Sequence, residues 1–129
     1  MACTAGTSVD ISEPTRGAPV WGAGGQLYTA GATTGLIQAL SSLDEDAQAL
    51  WRFEPGAPIE ASMNLDCARG SDGGVAPGRP GVLYAVTRSG NVHALIVDSP
   101  GLDTTAPWPR YQHDARNTGN PATRLTPCP

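Results

Sequence analysis

Along the chain, apolar residues come in short runs or alternate with polar ones, and glycine, proline or another turn former closes each run. A period of two sends successive side chains to opposite faces of an extended backbone, so the pattern predicts β-strands. They fall at Ala18–Trp21, Gln26–Ala30, Leu36–Ser41 and Ala49–Glu54, then at Glu60–Leu65, Val82–Thr87, Asn91–Val97 and Trp108–Gln112. One stretch competes as a helix. Ser42 to Leu50 has an acidic start, good helix formers and Ser42 as a cap, but it is about two turns long and reads better as a turn.

The eight strands form two sets of four. Gly24 to Trp51 and Gly81 to Trp108 both run Leu-Tyr, a turn, Gly-x-x-x-Ala-Leu, a loop and Trp. Leu27 aligns with Leu83, Tyr28 with Tyr84, Gly35 with Gly90, Ala39 with Ala94, Leu40 with Leu95 and Trp51 with Trp108, at offsets of 55 to 57 residues. The match extends upstream, where Ala18-Pro19-Val20 answers Ala57-Pro58-Ile59, except that the second unit carries 17 extra residues before its Leu-Tyr. The organisation expected is an irregular segment 1–17, a first blade-like repeat 18–56, a second repeat 57–108 with an inserted surface loop 66–80, and a tail 109–129.

Four short strands in about 40 residues, with Leu-Tyr on one strand and Gly-x-x-x-Ala-Leu on the next, resemble the repeat of the pyrroloquinoline-quinone-type β-propellers. The tail Ala106 to Asn120, APWPRYQHDARNTGN, is similar to the W-P-x-F/Y-x-H-D-x-x-x-T-G segment that ends many bacterial proteins with such repeats. The resemblance implies an all-β fold of two four-stranded antiparallel blades, a partial propeller, in which Trp51 and Trp108 pack against a neighbouring blade. It does not carry the chemistry over. The paired adjacent cysteines and the lysines of quinone-dependent enzymes are missing, and Ser41 and Ile96 stand where the family has Asp.

Composition narrows the picture further. Gly and Pro make up 28 of the 129 residues, while Leu, Ile, Val and Phe together make only 22, so the core is thin and turns are many. The net charge of −4 is too small to force disorder. All eight basic residues are Arg, which excludes a lysine Schiff base and a lysine-bearing phosphate loop. A pI near 4.9 without a basic cluster argues against nucleic-acid binding, and no apolar run approaches the roughly 20 residues of a membrane-spanning helix.

Candidate chemistry is sparse. The adjacent pair His113 and Asp114 could serve a small hydrolase, but no serine sits in a Gly-x-Ser-x-Gly elbow, and a turn-forming role in the tail reads better. His93 shares the register of Gln38, which marks a half-exposed polar site. A zinc set of Cys67, His93, His113 and Cys128 lacks any close ligand pair. Cys67 and Cys128 lie in Pro- and Gly-rich segments and are expected to form a disulfide that supports the thin core, leaving Cys3 over. Asp44, Glu45 and Asp46 form an acidic turn without the glycine of a calcium loop.

No catalytic, cofactor-binding or metal-binding residues are therefore expected. Leu27, Tyr28, Leu83, Tyr84, Gly35, Gly90, Trp51 and Trp108 are expected to be structural. The leading function is a non-catalytic scaffold or binding module, extracytoplasmic, with a protein partner or further blades and scope for homo-oligomers. The alternative is a degenerate quinoprotein oxidoreductase, or a hydrolase using His113 and Asp114. Two blades cannot close a ring, so their faces need further blades, another copy, or each other.

Overall fold

The computed structural model describes residues 8–42, 46–106, 108–114 and 117–129. Asp44 and Glu45 of the acidic turn, most of the competing helix start, and Cys3 lie outside them. The described residues contain strands and no helix: β1 (Val20–Trp21), β2 (Leu27–Ala30), β3 (Ile37–Leu40), β4 (Ala49–Phe53), β5 (Asn64–Asp66), β6 (Val82–Val86) and β7 (Val92–Ile96). They make two antiparallel sheets, β1-β2-β3-β4 and β5-β6-β7.

The two central hairpins share one register. Leu27 stands opposite Leu40 and Tyr28 opposite Ala39 in the first, Leu83 opposite Leu95 and Tyr84 opposite Ala94 in the second. Each sheet thus has a tyrosine face and a leucine face. The tyrosine face of the first sheet (Tyr28, Ala30, Ile37, Ala39) and the leucine face of the second (Leu65, Leu83, Ala85) meet in one core, closed by Val20, Ile59, Met63 and Val97. Trp51 and Phe53 of β4 pack on it, the Trp51 ring 6.0 Å from that of Tyr28. Tyr28 is fully buried, and its hydroxyl is satisfied by Ser99 Oγ at 2.9 Å, which in turn donates to Gln26 Oε1 at 2.6 Å.

Turn chemistry sets the hairpin ends. Gly35 and Gly90 occupy equivalent turn positions with φ of +81° and +91°, a region that costs a side chain strain. The first turn is also held from outside. Glu13 Oε1 accepts from the amides of Thr34 at 3.2 Å and Leu36 at 3.3 Å, while the Thr34 hydroxyl donates to Oε2 at 2.8 Å. In the second turn Thr87 does this locally, its Oγ1 accepting from the Asn91 amide at 3.2 Å.

Two expectations are corrected. The second sheet has three strands, not four: Trp108–Gln112 is not a strand, and Trp108 is 47% exposed instead of lying beside β7 as Trp51 lies beside β3. The cause is competition for backbone partners. The segment after β7 is drawn to the open edge of β1, where Ala23 donates to the Gly101 carbonyl, Asp103 to Trp21, and Trp21 to Pro109. The second correction concerns Glu60–Leu65. Pairing there covers only Asn64–Asp66, because Ile59 donates its amide to Gly31, just past β2, and the Pro58 carbonyl accepts from Arg88, which pulls the upstream residues out of line.

Candidate interaction surface and tail cluster

Burial divides the two sheets. On the first, both faces are covered: the leucine-face residues Leu27, Thr29, Gln38 and Leu40 are buried, with Gln38 Nε2 donating to Ser12 Oγ of the N-terminal segment. On the second, the tyrosine face is open. Val86, Val92 and Ile96 are 49%, 68% and 80% exposed, Ala94 is exposed, and Val82 and Tyr84 are half-buried. These six apolar residues are cross-strand neighbours, Val82 with Ile96, Tyr84 with Ala94 and Val86 with Val92, so the exposure is contiguous and not scattered.

The outer edge of β7 is open as well. At the hairpin's two ends Thr87 donates to the Asn91 carbonyl and Val97 to that of Gly81. Backbone groups alternate in direction along an antiparallel strand, so Asn91, His93, Leu95 and Val97 address β6 while Val92, Ala94 and Ile96 address solvent. His93 is half-buried between the sheets, its ring 5.5 Å from Phe53, and its Nε2 has no hydrogen-bond partner among the described residues.

The tail forms a polar knot beside β5. Arg110, His113 and Asp114 are all buried. Arg110 donates to the Asp114 carbonyl, to Asn117 Oδ1 and, across to β5, to Asn64 Oδ1. Burial pushes the Arg110 guanidinium below its ordinary range, and the nearby Asp114 carboxylate partly restores it. His113 Nδ1 lies 3.4 Å from Asp114 Oδ2, an oxygen that also takes the Thr118 hydroxyl, and Trp108 covers the His113 ring edge-on at 5.4 Å. Gln112, His113 and Asn117 hold positive φ. The pair thus sits in a coiled turn, with threonine and not serine as its hydroxyl neighbour. Arg110 as an anchor, and Asn64 as its target, carried no signal in the local pattern.

Cys67 and Cys128 are bonded, their Cα atoms 5.6 Å apart, which fastens the last residues of the tail to the end of β5. Between them and Leu65, Leu102, Asp114 and Arg124 lies a cavity of about 300 Å³. Among the described residues no three His, Cys, Asp or Glu side chains gather as a metal site, and no helix is long and apolar enough to cross a membrane. No protein-family model matches the chain, and no curated protein does.

Proposed function

We propose that the chain is a non-catalytic scaffold or binding module of the quinoprotein-like β-propeller repeat type, working by contact as part of a larger bacterial envelope or secreted protein. The observation that carries this reading is the asymmetry of two hairpins in one register: the tyrosine face buried in the first is open in the second. An apolar face left open beside an unpaired edge is a surface for a partner. The Cys67–Cys128 bond fits an oxidising compartment. The burial of His113 and Asp114 in a turn where Asp114 Oδ2 is shared by His113 Nδ1 and the Thr118 hydroxyl favours a structural role for that pair.

Absorbance titration with pyrroloquinoline quinone, with and without calcium, and an assay against activated esters test the reading. Neither saturable quinone uptake nor ester turnover is expected. Stoichiometric quinone binding, or hydrolysis lost in His113→Ala, would overturn it.

A further inference from the structure

The two sheets treat their outer edges differently. The edge strand β4 carries Arg52, is followed by Glu54, and meets β3 with a bulge between Ala39 and Leu40, three devices that discourage another strand from adding. β7 reads Val-His-Ala-Leu-Ile, with no Lys, Arg, Asp, Glu or Pro and an unbroken register against β6. Its outward amides and carbonyls belong to Val92, Ala94 and Ile96, the same three residues whose side chains lie on the open face.

This edge is complementary to itself. Turned antiparallel about Ala94, a second β7 sets Ala94 against Ala94, the smallest side chain at the two-fold, and Val92 against Ile96 on either side. Such β-branched cross-strand pairs are favourable, and the three residues are those that would exchange backbone bonds. The ends match in charge: beyond Ile96 comes the exposed Asp98, and the facing copy brings its hairpin turn there with Arg88, whose side chain is 71% exposed and only 3.8 Å-paired with Glu60.

We infer that β7 pairs with the β7 of a second copy, antiparallel about Ala94, to make a continuous six-stranded sheet. This rests on the reading of the chain as a module that works by contact. A symmetric contact of this kind is isologous and closes at two copies. It is small, so the pairing is concentration-dependent.

Sedimentation equilibrium on the full chain over a concentration series should show the mass rising from 13.3 kDa toward twice that value. Amide exchange gives the finer reading. Protection of Val92, Ala94 and Ile96 should rise with concentration, while that of His93 and Leu95, already bonded to β6, should not. Ala94→Pro removes an outward amide and should weaken association at least about tenfold, or 1.4 kcal/mol. Ile96→Lys, which leaves the backbone intact, should act the same way in a chain that unfolds at the wild-type midpoint. Arg88→Glu should weaken pairing and Asp98→Arg added to it should restore it. A monomer at every concentration, or a dimer whose Val92, Ala94 and Ile96 amides exchange as in the monomer, overturns the inference and leaves the scaffold reading standing. Stoichiometric quinone uptake by a dimer would do the reverse.

Discussion

Tyr28 and Tyr84 face alanines at the same point of two hairpins, yet Tyr28 is fully buried and Tyr84 looks out from an open face. Leu-Tyr, a turn glycine and Ala-Leu recur at both places and set the same pairing, so the difference in burial comes from what each sheet stacks on. The first sheet receives the leucine face of the second on one side and the N-terminal segment on the other. The second receives the first on its leucine face, while on its tyrosine face the tail reaches Asn64 of β5 and leaves β6 and β7 open. Equal hairpins therefore carry unequal shares of the stability, and the repeat lets each substitution be made twice, once in each setting.

The largest contrast is expected at the tyrosines themselves. Tyr28→Ala removes a buried ring and deprives Ser99 Oγ of one of its two partners, and should cost about 4 to 5 kcal/mol in urea unfolding. Tyr84→Ala should cost less, about 2 kcal/mol, because part of its area is already in water. Equal losses would break the comparison, since they would mean that the second tyrosine face is covered in solution as the first is.

The second sheet has a covalent support that the first lacks. Replacing Cys67 and Cys128 by alanine opens a link across 61 residues and should cost about 4 kcal/mol in the chain-entropy account. The loss should be uneven in the native state. Amide exchange should quicken at β5 and in residues 117–129 before it does at β2 and β3, whose partners are packing and not the tail. Uniform loss over both sheets would count against this division.

The turn glycines sharpen the same point at smaller scale. A side chain at Gly90 would meet nothing within 4 Å, so Gly90→Ala should cost only the strain of positive φ, about 1 kcal/mol. At Gly35 it would also run into the Ala57 carbonyl and Pro55, so about 3 kcal/mol is expected from strain and displaced backbone together. Thermal unfolding of the two variants side by side measures the gap.

What could be read from sequence follows from range. The hairpins were legible because Leu-Tyr, the turn glycine and Ala-Leu fix register over a dozen neighbouring residues. Trp108 was not, because its fate depends on β1: the open edge at Trp21–Ala23 captures Gly101, Asp103 and Pro109, and no local pattern records that competition. Ser99 and Arg110 are similar cases, the first serving Tyr28 from 71 residues away and the second Asn64 from 46. The open face was legible only as a problem, two blades with too little to cover them; which face stays open depends on the stacking order.

The smallest effect expected is one of pH, and it should touch one hairpin only. Burial works against ionisation of Glu13, but hydrogen bonds from the Thr34 hydroxyl and from the amides of Thr34, Leu36 and Thr33 outweigh it and hold the carboxyl below its ordinary value of 4.5. The folded state therefore binds this proton less readily than the unfolded chain does. The stabilisation is fully present above that ordinary value and is lost as pH falls through the lower folded one. The β2–β3 turn should loosen on acidification below about pH 4.5, whereas the β6–β7 turn, held by the non-titrating Thr87 hydroxyl, should not. Protection factors of the Thr34 and Leu36 amides should then drop between pH 6 and pH 3 relative to that of Asn91, and Glu13→Gln should flatten the difference by removing the ionisation. If the two turns respond to acid alike, or if the Gln variant keeps the same pH dependence, Glu13 is not what distinguishes them.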